Sequence, residues 1–304
     1  MENKLTYAEI VKLIPPSTLF NNSNILNNKI YYSTKIKSLV YKLFKHEKNN
    51  KNYTYLIKQL NNLILQSKNN ITTILNINKL LIENNINKIT ENRFHEWISN
   101  NIIDLIKKYK FDNNIKILDI GGGEGNILNH ISINYNIPFC NLYCLEQKEW
   151  CEKYQFKNKI NYIFWDNINI DINYNIDIVL IMVALHHMTD ETINNLLLNI
   201  KRILKKDGLI IIKEHDCNND NIKNIVDWEH HLYHIIMNNN IDEENINNYL
   251  NNSIINYKSY YQIDEIFQNY GFTNELKLDR EFKKFIKFDD NNPTNLYWNI
   301  YKNS

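Results

Sequence analysis

Ile115-Lys-Ile-Leu-Asp-Ile-Gly-Gly-Gly-Glu-Gly-Asn126 decides how this chain is read. Ile115 to Ile120 is a short apolar run of strand length. It ends on Gly121, Gly123 and Gly125, residues that let a backbone turn tightly and approach a ligand closely. A helical pattern follows Asn126. Strand, glycine turn and helix in that order suit a nucleotide site at the carboxyl end of a first strand. The spacing G-x-G-x-G lacks the third-glycine position of the usual dinucleotide fingerprint, so the glycines alone do not choose the ligand.

Downstream, short apolar runs recur at Leu142–Leu145, Tyr162–Phe164, Ile176–Val183 and Gly208–Lys213. Helical patterns fill most of the gaps, notably Ile193 to Leu204. Strands alternating with helices mean βαβ units and a parallel sheet, and near-continuous apolar strands suit a sheet covered on both faces. Two more strand candidates close the chain, Glu275–Leu278 and Leu296–Tyr301. Two acids stand at informative places. Glu146 ends the second strand, where a carboxylate accepts hydrogen bonds from both hydroxyls of a ribose. Asp166 follows the third, where a carboxylate either holds an adenine amino group or caps a turn.

Upstream the pattern is helical. Tyr7, Ile10, Val11 and Ile14 share one helix face, and Pro15-Pro16 ends it. Ile36 to Phe44, Leu56 to Ile64 and Trp97 to Ile106 mark further helices, the last running to about Tyr109. No glycine precedes Gly121. The expected organisation is a helical region over 1–90 and an α/β domain over 91–304.

The chain has 304 residues, 43% apolar and 23% charged, enough to bury a sizeable core. No apolar run reaches the length of a membrane span, and no apolar segment follows the polar N-terminus, so a cytoplasmic protein without a membrane partner is expected. A net charge of +1 gives no global electrostatic case for nucleic acid. Cys140, Cys144 and Cys151 are spaced C-x3-C-x6-C without a C-x2-C knuckle, and read with Cys217 as reduced thiols, not a metal site. Asn, Ile, Lys and Tyr are abundant, a bias towards AT-rich codons. Asn is therefore discounted as a helix or strand breaker.

Taken together, these segments resemble the class I, Rossmann-like S-adenosylmethionine-dependent methyltransferase family over about residues 90–302. Asp119 to Gly125 resembles its D-x-G-x-G-x-G loop, Glu146 its ribose acid and Asp166 its adenine acid. Val183-Ala-Leu-His-His-Met188 resembles its fourth-strand motif, and Lys201-Arg-Ile-Leu-Lys-Lys-Asp-Gly-Leu-Ile210 the helix-turn-strand leading into the fifth. Tyr257-Lys-Ser-Tyr260 with Tyr270-Gly-Phe272 resembles the helix and turn before the sixth. The resemblance implies a seven-stranded, mostly parallel sheet with an antiparallel last strand. It also implies S-adenosyl-L-methionine as cofactor, held by Asp119, Gly121, Gly123, Gly125, Glu146, Asp166 and Val183. A sulfonium methyl is already activated, so transfer is an in-line displacement in which holding acceptor and methyl in line matters most. A base is needed only where the acceptor must lose a proton.

The acceptor side is read from two clusters. His186 and His187 follow the fourth strand, and Lys213-Glu-His-Asp-Cys217 follows the fifth, at the edge where open α/β sheets bind ligands. Lys213, His215 and His186 are the catalytic candidates. Glu229, His230 and Tyr233 lie on a patterned helix and are the substrate-facing candidates. Glu229 with Tyr233, and His230 with His234, are four apart on one helix face. The histidine pair reads as hydrogen-bonded, and no metal is expected. The fourth strand carries neither the Asp of the Lys-Asp-Lys-Glu ribose 2′-O-methyltransferases nor the Asn/Asp-Pro-Pro-Tyr/Phe of amino-adenine enzymes. Lys213-Glu-His-Asp216, Glu229-His-His-Leu-Tyr233 and Asn292-Pro-Thr-Asn-Leu-Tyr297 are similar to strings in methyltransferases of large DNA viruses. That similarity implies an RNA or RNA-cap acceptor. A small-molecule acceptor and a non-catalytic, cofactor-binding scaffold are the alternatives, and an NAD-dependent oxidoreductase is a third.

Overall fold

The computed structural model describes residues 89–157, 159–171, 175–217, 256–275 and 296–303, with a few isolated positions before residue 84. The chain divides into two compact units, one of residues 1–91 with 219–253 and one of 92–218 with 254–304. The described strands, and the described helices from Asn92 onward, belong to the second unit. The helices expected before residue 65 lie almost wholly outside the described residues.

The strands are β1 (Ile117–Ile120), β2 (Leu142–Glu146), β3 (Asn161–Phe164), β4 (Ile176–Met182), β5 (Leu204–His215), β6 (Phe272–Asn274) and β7 (Leu296–Asn303). They form one seven-stranded sheet in the order β3-β2-β1-β4-β5-β7-β6. β1 to β5 pair in parallel, and β7 runs antiparallel to both its neighbours. This is the Rossmann-like sheet expected, with its antiparallel last strand. The sixth strand differs from expectation. It occupies Phe272–Asn274 instead of starting at Glu275. Gly271 takes a φ of 76° and reverses the chain directly after the preceding helix, so pairing begins at the buried Phe272. Residues 276–278 lie outside the described residues. β5 also begins earlier than the apolar run at Gly208, because Leu204 already pairs with Ile176 before an irregularity in the ladder.

Helices α1 (Ile89–Lys108), α2 (Asn126–Tyr135), α3 (Lys148–Tyr154), α4 (Asp190–Ile203) and α5 (Tyr260–Asn269) complete the unit. α4 shows why they form where they do. Thr189 caps it by accepting from the Thr192 N–H, acids occupy its first turn and bases its last. Ile193, Leu196, Leu197, Ile200 and Ile203 recur at helical spacing and are buried against one sheet face with Ile263 and Phe267 of α5. Ile98, Ile102 and Ile106 of α1 and Ile127, Leu128 and Ile131 of α2 cover the other face. Both faces are apolar, so the strands read as continuous runs. Among the described residues, no helix is long and apolar enough to cross a membrane.

Candidate cofactor and acceptor site

The glycine loop leaves β1 with Gly121, Gly123 and Gly125 all at positive φ, between 56° and 70°, a region that L side chains avoid. The intervening Gly122 is needed for a different reason. A Cβ there would stand 2.6 Å from Asp119 Oδ2, below any ordinary contact. The loop therefore presents bare backbone beside the start of α2, whose N-terminal N–H groups favour polar or anionic groups.

Glu146 reaches this loop from the end of β2. Its Oε1 accepts from the Gly123 N–H at 2.8 Å and its Oε2 from the Gln147 N–H at 3.1 Å. Burial raises its carboxyl pKa, and the two backbone donors partly offset that rise. Asp119 lies underneath, fully buried, and neither of its oxygens has a hydrogen-bond partner among the described residues. Burial first, and Glu146 second, push its carboxyl up to about 8. A bare glycine cradle, a half-buried carboxylate at its rim and an unpartnered acid beneath fit a polar, cationic ligand of nucleoside type. Asp166, after β3, is exposed. Its Oδ1 accepts from the Ile168 and Asn169 N–H groups at 2.8 and 2.9 Å, bonds that pull its pKa down. One of its oxygens thus closes a turn.

Two contacts tie the loop to its surroundings. The Tyr154 hydroxyl of α3 donates to Glu124 Oε1 at 2.6 Å, and Trp150 stacks on Tyr154. On the other side, a Cβ on Gly121 would meet Ala184 Cβ at 3.2 Å, so the exit of β4 abuts the loop. Val183 makes that exit with a φ of 59°, and its N–H donates to the Lys213 carbonyl at 2.6 Å.

The acceptor-side candidates divide between two settings. Lys213 is buried, with its Nζ 5.5 Å from the centre of the Trp97 ring, and Trp97 meets Trp298 edge-on at 6.1 Å. Trp97 is itself 52% exposed. His186 and His215 come together, with ring centres 5.4 Å apart, and Tyr257 stacks over His186 at 5.3 Å. Glu229, His230 and Tyr233 lie outside the described residues.

The residue that sequence reasoning left out of the site is Glu214. Its Oε1 lies 2.8 Å from His186 Nδ1 and also accepts from the His215 N–H at 2.8 Å, and its Oε2 accepts from the Leu185 N–H at 3.0 Å. Burial pushes this carboxyl up, but His186 and the backbone donors outweigh it, and the net pKa is lowered. The available signal was its place between Lys213 and His215 at the end of β5, in a stretch dense in ionisable groups. Among the described residues, no group of His, Cys, Asp or Glu is arranged to hold a metal.

A family model described as a methyltransferase domain matches residues 90–277, more than half of the chain. Among solved structures, the plantazolicin methyltransferase BpumL, in complex with a pentazolic desmethylPZN analog and SAH, is 14% identical. The match covers 91% of this chain and 98% of that one, with a TM-score of 0.48. An O-methyltransferase family protein from Burkholderia thailandensis is 9% identical over 90% of this chain and 72% of its own, with a TM-score of 0.43. A S-adenosylmethionine-dependent methyltransferase from Clostridium acetobutylicum is 18% identical over 40% of this chain and 50% of its own, with a TM-score of 0.33. No curated protein matches the chain by sequence. Nothing in these comparisons supports a kinship with viral enzymes. The chain belongs to the methyltransferase-domain family, and it is an enzyme whose cofactor is S-adenosyl-L-methionine.

Proposed function

We propose that the enzyme methylates a small-molecule acceptor at the carboxyl edge of β4 and β5. The observation that carries this reading is the depth of the ionisable cluster there: His186, Glu214 and His215 are 2%, 3% and 5% exposed. A single compact group reaches such a place more readily than a nucleic-acid helix does, and the chain's near-zero net charge adds no long-range attraction for a polyanion. The cofactor side of the proposal keeps Asp119, Gly121, Gly123, Gly125, Glu146 and Val183 around S-adenosylmethionine, with Glu146 on the ribose and Asp166 towards the adenine. Lys213, His215 and His186 form the acceptor side. Residues 1–90 are proposed to help select the acceptor, and Cys140, Cys144, Cys151 and Cys217, which form no disulfide, suit work in the reducing cytoplasm.

The test is incubation of the full chain with methyl-labelled S-adenosylmethionine and, in separate reactions, a cellular small-molecule extract and total RNA. Label in an extract fraction, identified by mass spectrometry, is the expected result. Label in RNA instead overturns the proposal in favour of an RNA or cap acceptor. Label in neither, with the cofactor bound, favours the scaffold reading.

A further inference from the structure

We infer that cofactor loading is coupled to proton exchange at Asp119: its carboxyl is protonated in the free enzyme, a cationic centre of S-adenosylmethionine displaces that proton, and the exchange selects a cationic nucleoside over a neutral or anionic one. Coupling of this kind rests on S-adenosylmethionine being the cofactor and is independent of the acceptor.

The position of the carboxyl carries the first part. Asp119 lies in β1 between Cys144 of β2 and Leu180 of β4. Its side chain stands directly under the glycine loop. A Cβ on Gly122 would be 2.6 Å from Asp119 Oδ2, 2.8 Å from its Cγ and 2.9 Å from Cys144 Sγ. The loop's own donors are committed elsewhere. The Gly121 N–H donates to the Leu145 carbonyl and the Gly125 N–H to the Gly122 carbonyl, each at 2.9 Å. The Gly123 N–H donates to Glu146 Oε1, and the Gly122 N–H serves the Cys144 sulfur. None of these reaches Asp119.

The charges around the group carry the second part. Glu146 and Cys144 face it from β2, Leu180 flanks it from β4, and no cation among the described residues acts on it. Burial pushes the Cys144 thiol far up, so it stays neutral. An ionised carboxylate buried without donors, near a second carboxylate, is costly, and such a group takes up a proton instead. Its carboxyl pKa of about 8 agrees.

S-adenosylmethionine brings an ammonium and a sulfonium against one carboxylate. A cation in the cradle supplies the partner that the acid lacks. The carboxyl O–H bond then breaks, its electron pair stays on Asp119, and the proton passes to solvent. A neutral nucleoside leaves the acid protonated. A dinucleotide would bring its pyrophosphate to a loop backed by two acids. Bare backbone at a helix start ordinarily welcomes anions, and here Asp119 and Glu146 reverse that preference.

The test counts protons. The full chain is titrated calorimetrically with S-adenosylmethionine at pH 7, in two buffers of different ionisation enthalpy. An adjacent opposite charge lowers a carboxyl pKa by about 1–3. Starting from about 8, release should be roughly 0.4–0.9 proton per cofactor, and affinity should rise roughly two- to eightfold from pH 6 to pH 7. That window lies below the roughly 7.7–8.0 at which an α-amino group itself titrates. Asp119→Asn keeps the shape but cannot ionise, and it should lose both effects. Infrared difference spectra of the unaltered protein should show a protonated-carboxyl band vanish on binding, a readout that stands even if the variant fails to fold. S-adenosylhomocysteine keeps the ammonium and lacks the sulfonium. An equal proton count with it assigns the displacement to the ammonium, and a count near zero assigns it to the sulfonium. No release with S-adenosylmethionine, an unchanged count in Asp119→Asn, or a carboxyl band that persists on binding would each overturn the inference. An RNA acceptor would overturn the small-molecule proposal and leave the proton count unchanged, so the two failures are told apart.

Discussion

Val183 donates its backbone N–H to the carbonyl of Lys213 across 2.6 Å, and it does so with a φ of 59°. A β-branched residue in the left-handed region is strained, and such strain persists only where neighbours over-determine it. Here the neighbours are the β5 carbonyl, Ala184 against Gly121, and Glu214 on the Leu185 N–H. Val183→Gly keeps the hydrogen bond and removes the clash. It should raise the unfolding free energy by roughly 0.5–1 kcal/mol in urea denaturation. A loss of stability would mean that side-chain packing outweighs the backbone strain at this position.

Glu214→Ala should cost roughly 3–5 kcal/mol, because it strands buried donors on Leu185, His186 and His215 at once. The sign with pH follows from the lowered pKa. The stabilisation is present above the ordinary carboxyl value of 4.5 and is lost as pH falls through the lower folded-state value. The gap between wild type and variant should therefore close only as pH falls below 4.5 and through the lowered folded-state value. Denaturant curves at a series of pH values give that gap directly.

Asp119 behaves oppositely. Its folded pKa is raised from 3.8 to about 8, so the folded state holds a proton that the unfolded chain gives up. Its stability contribution is fully present below the unfolded value and drains away as pH climbs to about 8, by at most roughly 1.4 kcal/mol per pH unit. Asp119→Asn, which cannot ionise, should flatten the fall in stability across that window. Parallel slopes for the two proteins would show that a group in the apo protein already compensates the acid.

The Tyr154 hydroxyl ties α3 to Glu124, which stands between two of the loop glycines. Tyr154→Phe leaves the stack on Trp150 in place. The bond is partly exposed, so its loss should weaken S-adenosylhomocysteine binding by no more than about tenfold, equivalent to roughly 0.5–1.5 kcal/mol. Glu146→Gln should cost more, roughly 1.5–3 kcal/mol, because a charge-assisted acceptor is lost at the ribose position. Calorimetric titration of both variants ranks the two residues, and the reverse order would take the ribose role away from Glu146.

The sheet, its strand order class and the glycine loop were legible because each rests on local pattern: apolar runs, glycine spacing and an acid at a strand end. Discounting Asn as a breaker was sound, since Asn299 lies fully buried inside β7 and Asn199 inside α4. The pairing of His186 with Glu214 was not legible. The two are 28 residues apart, and they meet only because Met182 lies opposite Lys213 in the β4–β5 register. Strand spacing says that both residues reach one edge. It does not say which of Lys213, Glu214 and His215 turns towards the β4 exit. The start of the sixth strand was misjudged for a simpler reason. Phe272-Thr-Asn274 carries too short a pattern to stand out, and the signal was the glycine before it.

β7 is inserted between β5 and β6, although it is the last of the seven strands to be made. Until residue 303 has left the ribosome, β5 must wait with an unpaired edge, seven of whose residues will later face Lys302 to Leu296. The sheet therefore cannot close before β7 has been made, and an apolar strand stays available to other nascent chains until then. Loss of residues 296–303 would not trim a border. It would remove an interior stave, split β6 and α5 from the rest, and turn a folded enzyme into an aggregating one.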